Sequence, residues 1–426
     1  MNKKQLVVTL TMAGAFISYT VGSGFASGNE VMQFFGSWGI PTCLISLAGA
    51  AFITLVSCIC LYRLGSAVNF EKTSEAYTFI GGKYLGKFFQ VFTFVSVFGT
   101  FMIMFTGAGS LLHQHFGLPQ WVGSVIMGVL SGIVVLGGLK TVENVLGSVG
   151  ILLLVYVIVF GTISLFFPGS SLSQADAIPQ AVQEGVVYQA NLLALPPFSW
   201  FSDLKQFNTP WLSGMLYASL CMVNGVPFFL KLGQNSKSDR HATVSAVITT
   251  IAFYACTTFV MIIIMMNFNK VVESSANQMQ PFPVLSAIHY IWPAGSWTYI
   301  IIIFMGIFTT TTGFLWVLSA WLFPGQTRTK KTYLFIVGMI IFGILMGSVL
   351  PFSVLIIFIF PISGVVGLLI TVCLVVRTVQ LARAKKKAVP AAATAVSAAV
   401  DAVSAAVEVV LTGADAAPAG TDKGPQ

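Results

Sequence analysis

Glu30 is the one acid well inside an apolar run of this chain. It closes a stretch, Thr20-Val21-Gly22-Ser23-Gly24-Phe25-Ala26-Ser27-Gly28-Asn29-Glu30, in which a long apolar segment breaks. Gly22, Gly24 and Gly28 let the backbone leave a helix and let a ligand approach closely. Where a helix opens, freed N–H groups attract a carboxylate and freed carbonyls attract a cation. A carboxylate in apolar surroundings is expensive and is by default functional. Three roles are open to Glu30: proton carrier, counter-ion for a substrate amine, or gate residue. The plainer alternative is a carboxylate satisfied by backbone donors at its own break. For the glycines the alternative is packing, since Gly24 and Gly28 have the spacing of a small-residue helix interface.

A second break follows roughly halfway along the chain, at Cys221-Met222-Val223-Asn224-Gly225-Val226-Pro227. Pro227 removes a backbone donor, Gly225 adds freedom and Asn224 offers an amide. In lipid every backbone polar group needs a partner, so a helix opens only where protein or a wet cavity receives the freed groups. Interrupted segments at matching places in two halves point to a transporter's binding site. A third feature is Phe308-Thr309-Thr310-Thr311-Thr312-Gly313. Hydroxyl and carbonyl oxygens suit a hard cation such as Na⁺. The alternative is that each threonine bonds back to a carbonyl one turn earlier.

The elements that position these residues are membrane helices. The chain has 426 residues, 56% hydrophobic and 8% charged, with a mean hydropathy of +0.89; soluble domains carry about 25% charged residues. Its apolar runs suit helices and not the roughly 10-residue alternating strands of a membrane barrel. We read ten spans, at approximately 6–35, 40–63, 85–112, 119–139, 143–167, 208–233, 240–267, 294–323, 331–348 and 350–376. Eighteen Lys and Arg fall in one alternate set of loops, whereas Lys205 and Lys270 alone fall in the other. The positive-inside rule then puts both termini in the cytoplasm. Lys3 and Lys4 precede an apolar stretch as in a secretory leader, but that stretch runs on into the first break, so it reads as a span.

The net charge of +8 follows this topology, so no nucleic-acid partner is expected. The six cysteines lie in apolar runs and read as buried thiols. His113 and His115 are two apart, poor spacing for one helical face. No P-loop, nucleophile elbow, HExxH helix or acid pair is present, so we expect no enzyme. Two outer connections are long: Pro168 to about Asn208, with an apolar-aromatic stretch at Leu192–Phe201, and Lys270 to Pro293, with a short helix at Val284–Trp292. The second is a lid or a plain hairpin. Ala395–Glu408 is a doubled heptad in a low-complexity tail, read as weakly helical or disordered and without a transport role.

Ten spans with breaks in the first and sixth and a hydroxyl run in the eighth resemble the LeuT-type inverted-repeat fold of the amino acid–polyamine–organocation superfamily. Residues Gly22 to Phe35 are similar to the signature of the YkvI-type bacterial membrane proteins. The resemblance implies an all-α polytopic protein with a five-plus-five repeat. Its halves would be residues 1–168 and 208–378, with an outer loop at 169–207 and a cytoplasmic tail at 379–426. It implies a Na⁺ site formed by the carbonyls of Ser18, Val21 and Phe308 and the hydroxyls of Thr311 and Thr312. It places a small-molecule substrate among Gly22, Ser23, Gly24, Ser27 and Gly28 on one side and Met222, Asn224 and Gly225 on the other. Phe25 stands where neurotransmitter-type symporters have asparagine, and span three has no central tyrosine. A second sodium site is therefore not implied.

The expected function is a symporter in the bilayer of the bacterial inner membrane, carrying an amino acid or a similar solute with Na⁺ and no organic cofactor. Spans one, two, six and seven would rock against three, four, eight and nine. The rivals are a proton-coupled carrier using Glu30 and a ligand-sensing receptor that keeps the fold without transporting. No oligomeric state follows from the sequence.

Overall fold

The computed structural model describes residues 3–68, 73–189, 209–273, 282–323, 329–349, 360 and 362–383. The stretch at 192–201, the tail heptads and most of the start of the expected tenth span lie outside them. The regular elements among the described residues are all helical: α1 Lys3–Thr20, α2 Ser23–Ser27, α3 Asn29–Phe34, α4 Thr42–Ala67, α5 Thr73–Phe116, α6 Gln120–Leu136, α7 Leu139–Phe166, α8 Ile178–Gln183, α9 Pro210–Gly233, α10 Asp239–Met266, α11 Phe268–Glu273, α12 Pro283–Ile291, α13 Pro293–Leu322, α14 Lys330–Val349 and α15 Ile362–Arg383. Among them α4, α5, α7, α9, α10, α13 and α15 are long and apolar enough to cross a membrane, and α6 is a shorter apolar helix.

Local chemistry sets the ends of these helices. Thr209 caps α9 by accepting the Leu212 N–H at 3.3 Å, and Pro210 follows at a position that needs no donor. Ser238 caps α10 by accepting the His241 N–H at 3.2 Å. Helix α5 begins twelve residues before the expected span and bends at Gly82, where φ is 71°. The expected helix at Val284–Trp292 is present as α12.

The expected break in the sixth span is absent, because α9 runs through Gly225 and Pro227 without interruption. Proline costs one ladder bond, that to the Val223 carbonyl, and membrane helices tolerate this when neighbours supply partners. The space beside Gly225 is filled by the Phe229 ring, so this glycine serves packing. The first expected span is not continuous: α1 stops at Thr20 and helix resumes at Ser23.

Met1–Val375 forms one compact unit, and Val376–Gln426 a second, of which residues 376–383 are described and helical. Within the first unit the long helices fall into two packing groups. One holds α1, α4, α9 and α10; the other holds α5, α6, α13 and α14; α7 touches both. Lipid gives helices no hydrophobic reason to associate, so small residues at the contacts matter. Gly14 lies against the Gly147 carbonyl where α1 crosses α7, and Gly65 against the Leu230 carbonyl where α4 follows α9. A side chain at either glycine would force the pair apart.

Candidate functional site

The site begins at the end of α1. Gly22 is extended, with φ −84° and ψ −166°, and its N–H turns to the Thr20 carbonyl at 3.0 Å. The Ser18 carbonyl thereby loses the helical donor that residue 22 would have supplied. Helix α13 receives it. The Thr310 hydroxyl donates to the Ser18 carbonyl at 2.9 Å and to the Val21 carbonyl at 3.0 Å. The Thr309 hydroxyl lies 3.1 Å from the Ser18 carbonyl and 3.0 Å from the Gly306 carbonyl of its own helix. Three carbonyl and two hydroxyl oxygens thus converge where α1 of one packing group meets α13 of the other.

The expected partners in the threonine run are displaced by two residues. Thr311 donates to the Ile307 carbonyl and Thr312 to the Phe308 carbonyl, each at 2.7 Å, so Thr311, Thr312 and Phe308 bond within α13 and away from the break. A helix turns about 100° per residue, and only the face of Gly306, Thr309 and Thr310 meets Ser18 and Val21. The converging oxygens are a hard-cation donor set. Among the described residues no three His, Cys, Asp or Glu side chains gather as a softer metal site would require.

Beside this cluster lies a cavity with about 30 Å³ of room for water-sized spheres. That is space for one or two waters. Of the residues singled out in the sequence, Gly22, Glu30 and Asn224 line it; Ser23, Gly24, Ser27, Gly28, Met222 and Gly225 do not. The lining that sequence reasoning missed includes Tyr19, Thr20, Thr100, Met104, Cys221 and Thr310. Thr100 and Met104 lie one turn apart on α5, but nothing in the sequence marks that face among many similar ones.

The glycines and serines of the break act locally. The Ser27 hydroxyl donates to the Gly24 carbonyl at 2.8 Å and accepts the Asn29 N–H at 3.2 Å. Gly28 has φ 90° and faces Val284 and Pro283 of α12 and Ile264 of α10, so Gly24 and Gly28 do not form one packing stripe. The Ser23 N–H and hydroxyl face the Met104 sulfur at 3.5 and 3.7 Å. Asn224 is held from three sides: its carbonyl accepts the Tyr19 hydroxyl at 2.6 Å, its Oδ1 accepts the Ser96 hydroxyl at 2.7 Å, and its Nδ2 donates to Thr100 at 3.3 Å. Tyr19 also stacks on Phe228 at 4.7 Å and meets Phe314 edge-on at 5.1 Å, joining α1, α9 and α13.

Glu30 is 5% exposed. The Tyr217 hydroxyl donates to its Oε2 at 3.4 Å, the one hydrogen bond to this carboxylate among the described residues. Among the described residues no Lys, Arg or His lines the cavity that it faces.

No protein-family model matches the chain. It is 28% identical over 159 residues to the uncharacterized membrane protein YkvI of Bacillus subtilis; the match covers 37% of this chain and 46%, less than half, of YkvI. It is 24% identical over 360 residues to the uncharacterized protein YyaD of the same organism, covering 83% of this chain and 92% of YyaD. The chain is thus a membrane protein homologous to YkvI. Among solved structures it is similar to MhsT in complex with L-phenylalanine, with TM-score 0.62 and 15% identity over 85% of this chain and 87% of MhsT. A Na⁺-coupled sialic acid symporter in its substrate-bound outward-open state matches with TM-score 0.55 and 15% identity, over 80% of this chain and 73% of that one. Mhp1, a nucleobase-cation-symport-1 family transporter, matches in a closed conformation with TM-score 0.52 and 13% identity, over 79% and 71%. The chain shares the LeuT-type fold of these proteins.

Proposed function

We propose that this chain is a secondary transporter of the bacterial cytoplasmic membrane, a Na⁺-coupled symporter for an amino acid or similar small solute. The observation that carries the reading is the meeting of the Ser18 and Val21 carbonyls with the Thr309 and Thr310 hydroxyls. A cation there would neutralise backbone dipoles on α1 and hydroxyls on α13 at once, so its binding would alter how the two packing groups sit against each other. That is the linkage a symporter needs, because an ion shifts a conformational equilibrium only through differential affinity for the two states. The Na⁺ ligands in this reading are Ser18, Val21, Gly306, Thr309 and Thr310, and the solute occupies the cavity beside Gly22, Glu30 and Asn224. The fold is read as ten spans in a five-plus-five repeat, with both termini cytoplasmic and with α12 closing the outer side over Gly28.

Thermal unfolding of the purified chain tests the cation. A ligand that binds the folded state raises apparent stability by mass action. Na⁺ is expected to raise the midpoint relative to choline, and uptake into vesicles is expected to follow an inward Na⁺ gradient. Absence of both effects in folded protein would sink the sodium reading. A proton-coupled carrier is the second reading, favoured by the buried Glu30. Under it, Glu30→Gln removes uptake driven by a pH gradient and spares uptake driven by Na⁺.

A further inference from the structure

The hydroxyls of the central cavity share one chemical character. Among the described residues four hydroxyls line it, those of Tyr19, Thr20, Thr100 and Thr310. Each has its proton committed to a backbone carbonyl: Tyr19 to Asn224 at 2.6 Å, Thr20 to Phe16 at 2.8 Å, Thr100 to Ser96 at 2.8 Å, and Thr310 to Ser18 and Val21 at 2.9 and 3.0 Å. A carbonyl only accepts, so the hydroxyl must be the donor, and what each keeps for the cavity is lone pairs. The Asn224 amide has its oxygen bonded by Ser96 and gives one of its two N–H donors to Thr100, so it keeps one N–H beside these hydroxyls. To these acceptors Glu30 adds a carboxylate, buried, with one long hydrogen bond from Tyr217. Among the described residues no cationic side chain lines the cavity. At the start of α2 the Ser23 N–H already faces the Met104 sulfur. A buried carboxylate is stable when a cation pairs with it, and a ring of acceptors is satisfied by a group made of donors.

We propose that the transported solute is recognised by a protonated amine, whose ammonium group pairs with Glu30 and donates to the hydroxyl oxygens around it. This rests on the transporter reading in that it takes the cavity to be the solute site; it does not depend on Na⁺ being the coupling ion. It narrows the solute to amines and amino acids and excludes carboxylates, sugars and nucleobases that carry no ammonium group. Glu30 is then a binding residue, and proton carriage is the competing use of the same carboxyl.

The test is ligand-induced thermal stabilisation of the full chain in detergent at fixed Na⁺. The probes are the twenty common amino acids and a series of primary alkylamines. Each amino acid is paired with its N-acetyl derivative and with the matching carboxylic acid that lacks the amine. The expected result is stabilisation by at least one free amine, with its N-acetyl and deaminated partners at least tenfold weaker. Glu30→Gln is expected to lose at least tenfold in affinity for that amine, Glu30→Asp to retain part of it, and the midpoint shift from Na⁺ alone to persist in Glu30→Gln. Where Glu30→Gln does not fold, the paired analogues on the unaltered chain decide alone. Equal binding of an amine and its N-acetyl partner would overturn the proposal, as would no response to any amine, or undiminished amine binding by Glu30→Gln with only pH-driven uptake lost. Loss of the Na⁺ shift in the unaltered chain with amine selectivity intact would overturn sodium coupling and leave this inference standing.

Discussion

Glu30 lies folded back over Gly24, so close that a methyl group added to Gly24 would overlap the carboxyl oxygens. The two residues belong to different helices, α2 and α3, joined through Gly28 in a left-handed conformation. That turn returns the first residues of α3 over α2 and brings the buried Glu30 carboxylate to the cavity. Gly24 is therefore a seat for Glu30.

Replacing Gly24 by Ala is expected to dislodge the Glu30 side chain. Overpacking of this kind costs about 1–3 kcal/mol, which thermal unfolding will register as a lower midpoint. The larger effect should be on ligand binding, a loss of at least tenfold, with the Na⁺ response preserved. Ligand binding unchanged in Gly24→Ala would show that the carboxylate position does not matter.

The threonine register makes a sharp prediction. Thr310→Val removes the hydroxyl that meets both Ser18 and Val21 and is expected to raise the half-saturating Na⁺ concentration at least tenfold. Thr312→Val removes a hydroxyl that bonds its own helix and should leave Na⁺ affinity within about twofold, since a net hydrogen bond of that kind contributes only about 0.5–1.5 kcal/mol to stability. Sodium titration of the thermal midpoint in both variants distinguishes the faces. A reversed pattern would return the site to Thr311 and Thr312.

At Gly28 two costs add. Its φ of 90° is strained for any residue with a Cβ, and a Cβ would collide with Val284 and Ile264. A left-handed backbone costs about 1–2 kcal/mol, and the overlap costs about as much again. Gly28→Ala is expected to lower the unfolding midpoint more than Gly39→Ala, whose φ is 67° but whose nearest neighbours, atoms of Pro179, stand at 3.6 Å or more. Comparison of the two midpoints separates strain from collision.

Asn224→Leu should be costly in proportion to the partners it strands. The Ser96 hydroxyl retains Ser363 at 2.8 Å, whereas the Thr100 oxygen loses its Asn224 donor. A buried group left without its partner costs about 1–3 kcal/mol. The expected phenotype is reduced stability with weakened solute binding, measured by unfolding and by the ligand panel. A fully stable Asn224→Leu would mean that the network is ornamental to folding.

Much of this protein was legible in the residues taken in order. Low charge and long apolar runs dictate membrane helices, because lipid offers backbone groups no partner. The cluster Gly22, Gly24, Gly28 predicted the interruption after Thr20, because glycine punctuation acts on its own neighbours. The chemistry of Glu30 and of a threonine run was visible for the same reason, since residue type alone sets what a side chain can donate, accept or charge. Tertiary structure decided the directions. Whether α9 opens at Pro227 depends on how neighbours far off in sequence pack against it, and Tyr19, 205 residues away, donates to the Asn224 carbonyl beside the one that Pro227 strands. Which threonines meet Ser18 depends on the rotation of α13 against α1, and a shift of two residues turns a side chain through about 200°. Thr20 and Thr100 spend their protons on carbonyls of their own helices, but Tyr19 and Thr310 spend theirs on Asn224 and on Ser18 and Val21, partners far off in sequence that only the packing supplies.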